Sequence, residues 1–210
     1  MYSVKGSYVV KKPTKPKRTN NKKTIIFDDV ILHKDMSYRI CQGADGVYAE
    51  IMHKIIEQFE IAQANWKRVF VLRFDLHIDH YTETNEIVRR FFNRFNKRLK
   101  RKYGFKDVGY CWVREQERAK SQHYHCVFFL DGDLIQNSTK IIPMIKGAWQ
   151  RTAGYSVPTI KNPFYYVDNE EAAQDAIYRV SYLAKTRGKG YRPPQTKDFN
   201  CSRMKLKERN

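Results

Sequence analysis

QHYHCVFFL, residues 122–130, opens on two histidines separated by one tyrosine and continues as an aromatic-rich apolar run. That composition predicts a β-strand. Its period of two puts His123 and His125 on one face, with Tyr124 and Cys126 on the other. Upstream, KDVGYCWVRE (106–115) reads as a second strand, joined to the first by a short polar turn centred near Ala119. Antiparallel pairing across that turn sets residue 115 opposite 123 and residue 113 opposite 125. Glu115 then sits beside the two histidines on their face. Glu117 takes that place if the turn has another register.

Working outward, RVFVLRFDLHI (68–78) is β-rich and largely apolar, the pattern of a central strand, with Asp75 and His77 on a common face. Helical spacing covers 44–65 (Val47, Ile51, Ile55, Ile56, Phe59, Ala62) and 84–103, where Gly104 provides a stop. It also covers 138–152, with Ser138 as a candidate N-cap and Pro143 awkwardly inside, and 170–186. PTIKNPFYYV (158–167) gives a further strand, 24–40 two short ones, and Gly188, Gly190, Pro193 and Pro194 end regular structure. The expected fold class is α+β, a central, mainly antiparallel sheet flanked by helices. A chain of 210 residues fits one domain with arms: a flexible basic arm at 1–23, a domain at 24–190 and a basic C-terminal tail at 191–210.

The formal net charge of +18 is unevenly distributed. Residues 1–23 and 89–102 each hold eight Lys/Arg and no acid, and 186–210 holds eight Lys/Arg and two acids. Those segments net +22, which leaves the other 148 residues at −4. A slightly acidic body with basic patches suits a polyanion partner, whose phosphates the cations neutralise. No apolar run approaches the roughly 18 residues of a membrane span, so a soluble, unexported protein is expected. Cys41, Cys111, Cys126 and Cys201 are widely spaced, and free thiols are expected rather than a disulfide scaffold.

One carboxylate and two imidazoles suit Mg²⁺ or Mn²⁺ and leave positions open for phosphate oxygens. On the helix AIYRVSYLAK, Tyr178, Tyr182 and Lys185 fall four and three residues apart and share a face. A tyrosine hydroxyl is a competent nucleophile at phosphorus when a metal polarises the phosphate and a cation stabilises developing charge. The blander readings are exposed strand residues and an amphipathic packing face. A structural zinc site using His123, His125 and cysteines is a third. No G-x-x-x-x-G-K-[ST] occurs, so nothing points to helicase activity in this chain.

H-Y-H on a strand followed by a helix with Y-x-x-x-Y-x-x-K resembles the HUH endonucleases, and within them the inovirus replication initiators of gene II protein type, including YagK/YfjJ-like prophage proteins. The resemblance runs from about 68 to 203 through VLRFDLHI (71–78), WVREQERAKSQHYHCVFFL (112–130), YRVSYLAKTRGKGYRP (178–193) and FNCSR (199–203). It implies a sheet with the histidine strand in the middle and the tyrosine helix beside it. His123, His125 and Glu115 would be ligands of Mg²⁺ or Mn²⁺, Tyr182 the principal nucleophile, Lys185 its electrostatic helper and Tyr178 a second tyrosine. The implied reaction is nicking and joining of single-stranded or supercoiled origin DNA through a 5′-phosphotyrosine, starting rolling-circle replication in a bacterial host cytoplasm. Host helicase and polymerase are the implied partners. Arg89, Arg90, Arg94, Lys97, Arg98, Arg101, Arg187 and Arg192 are the expected phosphate contacts. The alternative is a non-catalytic, nucleic-acid-binding prophage regulator with the same fold.

Overall fold

The computed structural model describes residues 24–116 and 121–208. The basic arm 1–23, Glu117 and the turn around Ala119 lie outside the described residues. The chain forms, in order, β1 (Ile25–Ile26), β2 (Val30–His33), β3 (Met36–Arg39), β4 (Val47–Tyr48), α1 (Ala49–Asn65), β5 (Val69–His77) and α2 (Glu86–Tyr103). There follow β6 (Gly109–Glu115), β7 (His123–Asp131), α3 (Ile141–Ala153), β8 (Phe164–Val167), α4 (Glu170–Val180), a 3₁₀ turn (Ser181–Ala184) and β9 (Phe199–Cys201). The central sheet is antiparallel throughout, in the order β8-β5-β7-β6-β9, and the fold is the expected α+β type. Among the described residues no helix is long and apolar enough to cross a membrane.

β7 is the middle strand because it is apolar on both faces after its second histidine, and both faces are covered. Val127 and Phe129 pack with α1 and α4, whereas Cys126, Phe128 and Leu130 pack with α2 and α3. Every odd-numbered residue of β5, β6 and β7 therefore looks toward α1 and α4. Phe91, Phe92 and Phe95 of α2 insert into the opposite layer against Phe74 and Phe128.

Several local expectations change in the folded chain. Ser138 does not cap α3; Lys140 occupies the N-cap position without a side-chain bond. Pro143 is tolerated because it is the third helical residue, where the missing N–H had no helical acceptor. Asn169 does cap its helix, its Oδ1 accepting from the Ala172 N–H at 2.9 Å. The strand expected over 158–167 shrinks to its last four residues, because Pro158 and Pro163 cannot donate to a ladder. The helix expected over 170–186 ends at Val180, and the chain tightens into the 3₁₀ turn before Lys185 becomes extended (φ −50, ψ 139).

Within the basic C-terminal tail, residues 191–204 dock on the body of the domain. β9 pairs with β6 at the sheet edge, Met204 is buried, and Arg192 forms a buried pair with Asp198 (Nε–Oδ1 2.7 Å). The same docking overturns the expectation of four free thiols. Cys111 and Cys201 face each other across β6 and β9 with Cα atoms 4.0 Å apart and form a disulfide, while Cys41 and Cys126 stay free. A sequence separation of 90 hid that pairing. With its sulfur bonded to Cys201, Cys111 is no zinc ligand.

Candidate active site

Glu115 pairs with His123 and Val113 with His125, the register derived from the turn. The carboxylate of Glu115 reaches both imidazoles: Oε2 lies 3.2 Å from His125 Nε2, and Oε1 lies 3.6 Å from His123 Nε2. One donor atom from each of the three residues falls within 4.8 Å of the others, so the group can hold a metal ion. His125 Nε2 is buried and, despite its closeness to Glu115, makes no hydrogen bond. An unsatisfied imidazole nitrogen facing a carboxylate fits a cation ligand, and one carboxylate with two imidazoles fits Mn²⁺ or Mg²⁺.

β5 supplies the support. Asp75 lies opposite His125 in the β5–β7 ladder, and its Oδ1 is 2.8 Å from His125 Nδ1. With Nδ1 held as the donor, Nε2 is the nitrogen left to face Glu115, the usual carboxylate–histidine arrangement behind a metal ligand. His77 is exposed, with its ring 5.2 Å from that of His123. Burial pushes the His125 pKa down, but Asp75 and Glu115 outweigh it and raise it. Burial likewise pushes the Glu115 carboxyl up, yet the facing imidazoles of His123 and His125 and the charge of Lys189 hold it well below the usual carboxylate range.

Gly188 lets the following loop close over this group. Its carbonyl accepts the Gln116 N–H at 2.8 Å, and its φ of +69 is a left-handed conformation. A Cβ there would overlap Cγ of Glu115. Gly188→Ala is expected to cost about 1–3 kcal/mol of stability from backbone strain and to weaken Mn²⁺ binding by displacing Glu115. A thermal melt paired with a Mn²⁺ titration checks both.

Tyr182 comes from the 3₁₀ turn. Its ring stands edge-on to His125 with centroids 5.2 Å apart. Two cations flank it: Arg73 Cζ at 4.6 Å and Lys185 Nζ at 4.7 Å from the ring centroid. Lys185 reaches the tyrosine although it is not on the helix, because its extended backbone turns back along Val47. Tyr178, one turn earlier, is exposed and engages Cys41, a contact that raises its pKa. The fold thus brings together Glu115, His123, His125, Tyr182 and Lys185, and directs Tyr178 to a different neighbour.

Residues 33–202 match the YagK/YfjJ C-terminal domain. The chain belongs to the YagK/YfjJ C-terminal domain family. The matched span takes in the whole central sheet and every residue of the site. No curated protein and no solved structure matches significantly.

Two residues of this YagK/YfjJ domain's site escaped the sequence reading. Arg73, buried with its Nε unbonded, lies in the apolar run RVFVLRFDLHI two residues before Asp75. The R-x-D-x-H alternation was the available signal. Lys189 is buried, with Nζ 3.3 Å from Glu115 Oε2, and its G-K-G setting carried no signal. The expected phosphate contacts also separate. Arg89, Arg90, Arg94, Lys97, Arg98 and Arg101 lie on α2, across the sheet from Tyr182. Arg187 is exposed in the loop after the 3₁₀ turn. Arg192 is buried against Asp198, with Nε 2.7 Å from Oδ1 and Nη2 donating to Oδ2 at 2.9 Å, so its guanidinium is turned inward rather than presented on the surface.

Proposed function

We propose that this YagK/YfjJ domain nicks and joins single-stranded origin DNA as an HUH-type rolling-circle replication initiator, with Tyr182 as its nucleophile. The observation that carries this reading is the packing of the Tyr182 ring on His125, whose other edge faces Glu115 in a three-donor cation group. Glu115, His123 and His125 would hold Mg²⁺ or Mn²⁺, which when bound supplies Lewis acidity toward a non-bridging phosphate oxygen.

The chain's own residues do the rest. Arg73 and Lys185 hold the Tyr182 ring between two positive charges and offset charge developing on the phosphate. Tyr182 Oη attacks phosphorus in line, and the bond from phosphorus to the 3′-oxygen breaks. The phenol gives up its proton and the 3′-oxygen gains one, so the step is balanced. The products are a 5′-phosphotyrosine and a free 3′-OH, and the ester bond retains the energy needed for rejoining. Asp75 keeps His125 in one tautomer throughout.

A non-catalytic DNA-binding regulator is favoured by one feature. The Lys189 ammonium sits on Glu115 Oε2 and supplies positive charge at the carboxylate a metal would use. One experiment separates the readings. The full chain is incubated with labelled single strands tiling the DNA around its own coding region, with Mn²⁺, and resolved on a denaturing gel. A covalent adduct is expected with Mn²⁺ and not with EDTA or in His125→Ala. Tight binding without an adduct under any metal would overturn the enzymatic reading.

A further inference from the structure

α2 is an 18-residue helix whose outer surface serves no packing role. Val88, Phe91, Phe92, Phe95 and Leu99 point into the layer against the sheet, and the opposite side is cationic. Arg90, Arg94, Lys97 and Arg101 are exposed and follow an i, i+4, i+7, i+11 series. They form one straight row about 16 Å long at 1.5 Å per residue. Glu86, four residues before Arg90, is the helix's sole acid; it stands at the N-terminal end of the row and lies 3.8 Å from Arg89. Among the described residues no acid pairs with the four cations of the row.

The position of this row matters as much as its charge. α2 covers the even-numbered residues of β5, β6 and β7, whereas Glu115, His123, His125 and Tyr182 lie on the odd-numbered side. The sheet stands between them, so nucleotides at Tyr182 do not lie along α2. The row also lacks what single-strand binding uses. Such sites combine a basic groove with exposed aromatic rings that stack on unpaired bases, and all three α2 phenylalanines are buried. A convex line of cations without stacking surface suits the backbone of a duplex, where phosphates recur every 3.4 Å along each strand. The row has no apolar fringe to enter a lipid surface.

We infer that the outer face of α2 is a duplex-DNA docking surface, separate from the single-strand site on the other side of the sheet. It would hold the double-stranded flank of the origin by its phosphates, without reading sequence. The choice of DNA over RNA rests on the proposed nicking function; the existence of a duplex surface does not.

The test uses the full chain carrying Tyr182→Phe, without added metal. Binding to a DNA hairpin duplex and to an unstructured single strand of equal length is followed by fluorescence anisotropy over a salt series. Neutralising the row with Arg90→Gln, Arg94→Gln, Lys97→Gln and Arg101→Gln should lower the log–log salt slope for the duplex by about 3 to 4, at ~0.9 per lost phosphate contact. Arg94→Gln alone should lower it by about one. The slope for the single strand should stay where it was, and circular dichroism should report unchanged folding. An equal fall for both DNAs, no fall for the duplex, or tighter binding of a duplex RNA would overturn the inference. Failure to form a covalent adduct in the nicking experiment would leave this result as it stands, so the two readings fail separately.

Discussion

Tyr182→Phe is expected to abolish the covalent DNA adduct, a loss on the order of 10⁴-fold or more for removal of a nucleophile, while Tyr178→Phe keeps it. The contrast follows from where the two rings sit. Tyr182 packs on His125 between Arg73 and Lys185. Tyr178 is nearly half exposed, at 47%, and engages Cys41. The contacts that fix Tyr182 are made by its ring, and phenylalanine retains the ring. The variant should therefore fold, melt within about 0.5 kcal/mol of the parent, as most surface changes do, and bind Mn²⁺ and single strands as before. A denaturing gel with the active strand reads the adduct directly. Retention in Tyr182→Phe with loss in Tyr178→Phe would move the nucleophile to the other tyrosine.

Asp75→Ala should weaken Mn²⁺ binding by about 10–100-fold, the usual effect of deleting the partner behind a ligating histidine. It should also cost roughly 3–5 kcal/mol, because Arg73 is left as a buried charge without its carboxylate 3.6 Å away. Asp75→Asn separates the two effects. The amide oxygen can still accept from His125 Nδ1, so metal affinity should fall less than in the alanine variant, while the charge opposite Arg73 is still gone. Stability against pH gives a further check. Burial pushes the Asp75 carboxyl up, but the His125 hydrogen bond and the charges of His125 and Arg73 pull it below its ordinary value. A lowered folded-state pKa means that its stabilisation is present above about pH 4 and is lost as pH falls below that. The gap between parent and Asp75→Ala should accordingly narrow in acid. A gap that held constant down to pH 2 would show that the carboxylate's charge contributes nothing. Isothermal titration with Mn²⁺ and denaturant melts across pH measure both.

The amino-acid sequence by itself determined whatever depends on near neighbours. A strand of period two, a short turn and a second strand are enough to place Glu115 beside His123 and His125, since the register of a hairpin is set by its turn. The spacing of Val88, Phe91, Phe92, Phe95 and Leu99 likewise fixed the inward face of α2 and left the basic face outward.

Only the tertiary structure decided the contacts that close long loops. Asp75 reaches His125 across 50 residues, Lys189 reaches Glu115 across 74, and Cys111 meets Cys201 across 90. No local periodicity encodes such pairs, because they depend on which strands become neighbours after the chain has folded. The 3₁₀ turn that aims Tyr182, and the burial of Arg192 where a free phosphate contact was expected, belong with them. So does the side of the sheet that α2 covers. An amphipathic helix carries the same pattern whichever face it packs on, and the connections between strands make that choice. That choice separates the row of cations on α2 from the metal-competent group, a division the charge count could not reveal.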